Sequence, residues 1–551
     1  MGTQAAGLAN FPGSIMNATD VIIVGSGINS LVCAALLARR GLATCVLERD
    51  STLGGCIRTE ELTLPGFRHD TLSTLYPLFV TAPHYPLLQE ELQQMGARFR
   101  DCAAPTGVLC PDGRHARLTT DRAANIRTFE SLATGDGMAY RRAMEEVERD
   151  GALTFGLLGK DLWSWEGVKL LLGALRSRGA RSLADYCGRS AVSCRAWLEA
   201  SFRSDVSRAL IAPWVLHVGL SPESPLSSLM AKVILMTLER AGAPVVAGGG
   251  GNLVDAFAKL IRSHGGELHA GTEVTHILQN GSQACGVRTA DGRELRARRA
   301  IVCNVTPAQL YERLLSGHAL PPDLLERVRA RRPGRADMQI HLALDRPPDW
   351  VAADLADVAM VHVTEGLDAV SCAVNEAQRG LLPARATIVV AQPAALDPTR
   401  VPHGKSILWI QLQELPGRIS GDALGEIPPP ADGQWTPSVR EAYADRIIAR
   451  LERLIPNLRR SILARRVLSP ADLQALNVNL EAGDPYSGAC DLDQFLLWRP
   501  VVGSRNHDTP LARLYHIGAS THPGPGLGGM SGYLAAETIR RRCLRAWFAG
   551  G

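Results

Sequence analysis

Residues 20–41 read DVIIVGSGINSLVCAALLARRG. Val21 to Val24 form a continuous apolar run, the pattern of a parallel strand buried on both faces. Gly25 permits a tight turn, and Gly27 lets backbone approach a pyrophosphate where the next helix begins. Free N–H groups and the helix dipole favour an anion there. Asn29 and Ser30 open that helix, and Ser30 stands where a third glycine usually brings helix and strand together. A second strand, TCVLE, ends at Glu48, 21 residues beyond Gly27, the expected place for an acceptor to ribose hydroxyls. The stretch predicts a dinucleotide-binding α/β unit.

The continuation decides which dinucleotide. Residues 48–59, ERDSTLGGCIRT, carry Arg49, the pair Gly54 and Gly55, then Arg58 and Thr59. A glycine pair directly after the acidic strand end resembles FAD enzymes of the glutathione-reductase-like superfamily, and a plain NAD dehydrogenase has no need for it. The disulphide-reductase branch would add a CxxxxC motif here, and Cys56 has no such partner.

Bulk composition narrows the classes further. With 551 residues, 46% hydrophobic and 21% charged, the chain has room for two to four domain-sized units. A net charge of +4 from 59 basic and 55 acidic residues gives no argument for nucleic-acid binding. Twelve cysteines without a CxxC pair argue against a metal site or a disulphide framework and fit a reducing compartment. Cys33, Cys45 and Cys303 sit in apolar runs and read as small core residues. Residues 1–18 lack the features of a secretory signal and read as a loose tail, and no run reaches the roughly 18 apolar residues of a membrane span.

From residue 244 the chain reads PVVAGGGGNLVDAFAKLIRSHGGELHAGTEVTHI. Four glycines precede an amphipathic helix with Leu253, Phe257, Leu260 and Ile261 on one face, and short strands follow near Leu268 and Val274. Asp291-Gly292 then marks a hairpin turn. In two-part flavoproteins a segment of this design returns to the FAD domain, where Val274 would clamp the adenine through its backbone. The alternative is a second, independent α/β domain. The expected fold is α/β: a Rossmann-type FAD domain plus a mixed α+β substrate domain. The expected division is a tail (1–18), FAD domain (19–105, 240–310 and 476–551) and substrate domain (106–239 and 311–475).

Four stretches carry a closer resemblance: GSGINSLVCAALLARRG, APWVLHVGLSP (212–222), DLDQFLLWRPV (491–501) and LYHIGASTHPGPGLGGMSGYLAA (514–536). Together they resemble phytoene-desaturase-type FAD oxidoreductases, in particular the branch of desaturase-like carotene ketolases and their animal mitochondrial relatives. The resemblance spans nearly the whole chain from about residue 18. Gly528 departs from a proline common in true phytoene desaturases, and Ser487 from a histidine frequent in the branch.

The resemblance implies oxidation of a lipophilic, isoprenoid or polyene-like substrate, with hydride transfer to flavin N5. It also implies cofactor contacts from Gly518, Ala519, Leu527, Gly528, Gly529 and Met530. The last four would aim a helix N-terminus at the negative charge of the reduced ring. No acid or base is evident. His217 and His522 are the candidates, with packing as the alternative for each, and Asp493 and Arg499 read as ion-pairing residues. Ketolation and isomerisation stay open. So do a flavin amine oxidase, which would need a lysine near N5 from a chain with only five, and a flavin-binding assembly factor without turnover. The segment Leu162–Arg178 joins Trp163 and Trp165 to Lys169, Arg176 and Arg178, and reads either as ordinary packing or as a membrane-surface face. The expected location is cytoplasmic, with a peripheral place at the inner face of a membrane under the second reading. Nothing in the sequence sets an oligomeric state.

Overall fold

The computed structural model describes residues 19–549, with side chains through residue 544, so the expected tail lies outside the described residues. The chain opens with β1 (Thr19–Val24), α1 (Ile28–Ala38), β2 (Thr44–Leu47), β3 (Thr106–Leu109) and β4 (His115–Leu118). A helical stretch follows, with α2 (Asp136–Gly159), α3 (Trp165–Ala191), α4 (Ser227–Ala241) and α5 (Gly251–Ser263). Next come β5 (Glu267–His269), β6 (Val274–Asn280), β7 (Gln283–Thr289) and β8 (Glu294–Asn304). Then β9 (Ala336–Leu344), β10 (Met360–Val363), β11 (Ile388–Ala391) and β12 (Ser406–Leu415) precede α6 (Pro437–Glu452) and β13 (Ile462–Leu468). The last elements are β14 (Leu514–Ile517) and α7 (Met530–Ala549).

The first sheet has seven strands in the order β6-β7-β8-β1-β2-β5, with β14 also paired to β8. Strands β8, β1, β2, β5 and β14 run parallel, and α1 is the crossover between β1 and β2. Strand β8 joins two regimes: Leu295 and Arg296 pair antiparallel with β7, while Ile301–Asn304 pair parallel with β14. On one face Val21, Ile23 and Val302 pack with α1 and with Leu253, Phe257, Leu260 and Ile261 of α5. On the other, Ile22, Cys45, Ile301 and Cys303 pack against Ile277 and Val287 of the hairpin. Both faces are thus covered, which is why β1 reads as an unbroken apolar run.

The second sheet has seven strands in the order β13-β9-β12-β11-β10-β3-β4. Here the sequence alternates, ADMQIHLAL in β9 and SILWIQLQEL in β12. Met338, Ile340, Leu342, Leu408, Ile410 and Leu412 enter one core with Tyr443, Ile447 and Leu451 of α6. Each such side chain contributes roughly 1.5–3 kcal/mol by leaving water. Of the intervening residues, Trp409 joins a core with α2 and α4, while Ala343 and Ile407 pack with Phe67. Helix α6 starts at Pro437 because Thr436 accepts a hydrogen bond from the Val439 N–H and Pro437 takes the first helical turn. Among the described residues no helix is long and apolar enough to cross a membrane.

Candidate functional site

The loop after β1 turns on Gly25 and delivers the backbone of Gly27 to the start of α1. No side chain caps that end and no acidic residue lies in its first turn, so its N–H groups and dipole are open to an anion. Ser26 connects this loop to the end of β2. Its N–H and Oγ donate to Glu48 Oε2 at 2.8 and 2.7 Å, and its Oγ accepts from the Gly54 N–H at 2.9 Å. Glu48 Oε1 accepts from the Asp50 N–H at 3.0 Å, so the buried carboxylate already takes three hydrogen bonds of the roughly four that it can.

Gly54 has φ +112°, and a Cβ there would lie 2.4 Å from the Ile57 carbonyl oxygen. Only glycine fits such backbone without strain. Arg58 donates from Nε to the Gly55 carbonyl at 3.0 Å and pairs with Asp50, which holds the guanidinium beside the glycine pair.

The C-terminal element closes over the same place. Helix α7 begins at Met530, and a Cβ on Gly532 would sit 1.8 Å from the Asn29 carbonyl oxygen, so the two helix N-termini meet there at backbone distance. The Gly532 N–H donates to Asn29 Oδ1 at 3.2 Å, and the Gly518 N–H to Ser531 Oγ at 3.0 Å. Asn304, at the end of β8, donates from Nδ2 to Ser30 Oγ at 3.0 Å.

These elements line one cavity of about 1420 Å³. Of the residues singled out by sequence, Gly25, Gly27, Asn29, Glu48, Arg49, Gly54, Gly55 and Arg58 line it. So do Val274, Ala519, Leu527, Gly528, Gly529 and Met530, and so does His217. Four do not. Ser30 is spent on Asn304 inside the helix. The Thr59 hydroxyl donates to Asp70 Oδ1 at 2.7 Å and accepts from the Gly251 N–H at 2.9 Å, away from the cavity. Gly518 packs on the Asn304 side chain. His522 is buried beneath the turn, with neither ring nitrogen partnered among the described residues.

Burial pulls both histidines down to about 3, so each is a neutral ring with little basicity near pH 7. His217 stacks on Trp214, its Nε2 lies 2.9 Å from His362 Nε2, and its Nδ1 lies 3.2 Å from Gln413 Nε2. Asp493 forms the expected ion pair, with Arg332 at 2.7 Å. Arg499 does not: it is buried and donates to the backbone carbonyls of Gln494 and Tyr486, each at 3.1 Å, and of Ala519. Of the five lysines, Lys160 alone lines the cavity, and it is exposed. Cys45, Glu267 and His269 bring potential ligand atoms within 4.8 Å of one another. Burial pushes the Cys45 thiol up to about 12, which disfavours the thiolate that a metal needs.

Several lining residues escaped the sequence reading. Ser26 and Asn304 act through long-range contacts that no local pattern announces. Asp337, Gln339, Gln411 and Gln413 line the cavity from the second sheet, and their signal was present as polar residues at alternate positions of apolar strands.

The residues fit a dinucleotide carrying pyrophosphate and ribose: an open helix N-terminus, bare glycine backbone, a buried carboxylate at the strand end, and an arginine beside the glycine pair. The model of the family described as flavin containing amine oxidoreductase matches residues 31–524. A Paracoccus phytoene desaturase (lycopene-forming) is 31% identical, with 94% of this chain and 95% of that protein covered. The mouse pyridine nucleotide-disulfide oxidoreductase domain-containing protein 2 is 29% identical, with 95% and 93% covered. Among solved structures, an oxidoreductase from Methanosarcina mazei superposes with a TM-score of 0.61 at 17% identity, covering 95% of this chain and 100% of that one.

Proposed function

The chain belongs to the flavin containing amine oxidoreductase family and to the phytoene-desaturase-type FAD oxidoreductases within it, and from that premise we propose that it dehydrogenates a lipophilic, isoprenoid or polyene-like substrate. The observation that carries this reading is the continuity of the cavity. The space beside the dinucleotide cradle runs on between α4 and the second sheet, past Met230, Val233, Ile234 and Leu238. At about 1420 Å³ it exceeds the roughly 300–1,000 Å³ of a single small-molecule site, so a second molecule has room beside the cofactor.

Bound FAD would supply a two-electron acceptor for a hydride lost from one carbon, while the neighbouring carbon loses a proton to solvent water. Gly25, Gly27, Glu48, Gly54, Gly55 and Arg58 would hold its pyrophosphate and adenosine side, and Gly528 to Met530 would lie beside its ring. The chain's own contribution is positioning. The first turn of α7 points positive dipole and N–H groups toward any negative charge that builds up beside it. The apolar wall from Met230 to Leu238 fixes the approach of the reacting carbons. Both rings are neutral: His217 is assigned a packing and hydrogen-bonding role and His522 a packing role, rather than proton transfer.

A peripheral place on the inner face of a membrane belongs to the same reading. Trp163, Trp165, Leu171 and Leu172 are exposed at the start of α3, with Lys169 on the same helix. Leu78 and Phe155 are likewise exposed and line the cavity. Apolar and basic side chains beside a cavity mouth suit uptake of a lipid from a bilayer.

The test is mass spectrometry of isoprenoids and polyenes incubated with the FAD-loaded chain, with flavin bleaching followed without oxygen. Product lighter by two hydrogens, formed as the flavin bleaches, is the expected result. Gain of oxygen would replace the reading with ketolation, and unchanged mass at a shifted retention time with isomerisation. Bleaching by amines alone, with hydrogen peroxide formed in air, would replace it with amine oxidation.

A further inference from the structure

The second sheet turns an unexpectedly polar face to the cavity. In β9 and β12 alternate residues are committed to the core against α6, which leaves Asp337, Gln339, Trp409, Gln411 and Gln413 on the opposite side. Strand register makes them one patch: Gln339 pairs with Gln411, and Gln413 follows two residues on along the same face. Trp214 and His217 border the patch from the turn at residues 212–218. Asp337, Gln339, Trp409, Gln413 and Trp214 are each no more than 6% exposed.

A wall that served only hydrocarbon would be cheaper if apolar, because a buried polar group without a partner costs roughly 1–3 kcal/mol. Some of these groups satisfy one another. Gln411 Nε2 donates to Asp337 Oδ2, and Gln413 Nε2 lies 3.2 Å from His217 Nδ1. Others have no protein partner among the described residues: Gln339 Oε1 and Gln413 Oε1 as acceptors, the indole Nε1 of Trp214 and Trp409 as donors, and Asp337 Oδ1, whose role is set by its charge state. Donors and acceptors are therefore interleaved on one wall.

The charge state narrows the ligand. Burial holds the Asp337 carboxyl well above the usual carboxylate range, so it keeps its proton and adds a donor. Burial keeps His217 neutral. An uncharged surface with both donors and acceptors matches a group that itself donates and accepts without charge. A carboxylate would find no cation among these side chains, and an ammonium would find a protonated acid.

We propose that the patch formed by Asp337, Gln339, Gln411 and Gln413, with the indoles of Trp214 and Trp409, binds an uncharged oxygen-bearing group of the substrate, a hydroxyl or carbonyl. The substrate is then an oxygenated isoprenoid rather than a bare hydrocarbon. This rests on the lipophilic-substrate reading above and specifies its substrate class.

The experiment titrates the FAD-loaded full chain with a C20 isoprenoid hydrocarbon and with the same skeleton ending in alcohol, aldehyde, primary amine or carboxylate. Binding is followed by the change in flavin absorbance, and turnover by mass spectrometry. Alcohol and aldehyde should bind about tenfold more tightly than the hydrocarbon, the worth of one or two net hydrogen bonds. Gln339→Leu with Gln413→Leu should shrink that ratio to about twofold, and Trp409→Phe, which removes the indole donor but keeps an aromatic ring, should lower it to about threefold. Retained flavin absorbance and melting temperature identify folded variants, and Trp409→Phe keeps the test alive if the double variant fails to fold. Hydrocarbon binding as tight as alcohol, or tightest binding of amine or carboxylate, overturns the proposal. If the hydrocarbon is also dehydrogenated, the broader reading stands without it. If no member of the series binds or is dehydrogenated, both fall.

Discussion

Gly54 shows how little latitude single positions have. Its φ of +112° and the 2.4 Å gap between a built Cβ and the Ile57 oxygen leave no room for a methyl group without moving the turn. Gly54→Ala should therefore lower FAD affinity by about tenfold or more, for a cost of roughly 1–3 kcal/mol. Flavin absorbance per mole of purified protein, with and without added FAD, measures it. Glu414 makes a second prediction. It is fully buried, and burial pushes its carboxyl up from an ordinary 4.5 to about 7. The folded state then holds the proton more tightly than the unfolded chain, so this group's contribution to stability falls as pH rises from about 4.5 to about 7 and is flat above. Glu414→Gln should raise the melting temperature at pH 8 and have little effect at pH 4.5, with a difference on the order of 3 kcal/mol. At this scale the sequence was readable where a role depends on local backbone. Gly25, Gly27, Glu48 and Gly54 line the cavity, and their place could be read because a turn, a helix start and a strand end are local events. Thr59 does not line the cavity, and its partners, Asp70 and Gly251, come from elsewhere in the chain.

Elements add constraints that no residue carries alone. The crossing of α1 and α7 is set by Gly532, whose missing Cβ lets Asn29 approach. Gly532→Ala should part the two helix N-termini, lower stability by roughly 1–3 kcal/mol through overpacking, and release FAD together with the loss of stability. Thermal melts paired with flavin content test this, and a variant that melts lower but keeps full flavin would refute the link. The crossing was hidden in the sequence because the two helices lie about five hundred residues apart, and only the fold brings Asn29 and Gly532 together. The second sheet was half legible. The alternation in ADMQIHLAL and WIQLQ marked two-faced strands. Which face met the cavity depended on α6, which covers the opposite side from beyond the end of β12.

On the scale of the whole molecule, the cavity proposed to hold the cofactor is assembled from chain segments near residues 25–58, 274–305 and 519–531. A ligand that binds only when all three are in place stabilises the folded state by mass action, by about 2.7 kcal/mol at a hundredfold excess over Kd. Removing FAD should lower the melting temperature and speed proteolysis, and adding it back should restore both. The surface near α3 makes a separate prediction. Trp163 is 53% and Trp165 65% exposed. The intact chain should co-sediment with anionic vesicles, and Trp163→Ser with Trp165→Ser should weaken that binding several-fold while flavin content stays unchanged. Equal sedimentation of both proteins would remove the membrane from the reading.

Asn304 ties these scales together. Its backbone oxygen lies 3.1 Å from a Cβ built on Gly25, its Nδ2 3.1 Å from one on Gly27, and its Oδ1 2.6 Å from one on Gly518, while Nδ2 also donates to Ser30. One side chain thus gauges the spacing of the first glycine turn against the last. Gly27 and Gly518 are therefore coupled through one amide group: alanine at either should be better tolerated, with more flavin retained, when Asn304→Ala is made alongside it. Efforts to re-engineer the cofactor preference will have to move them as a set.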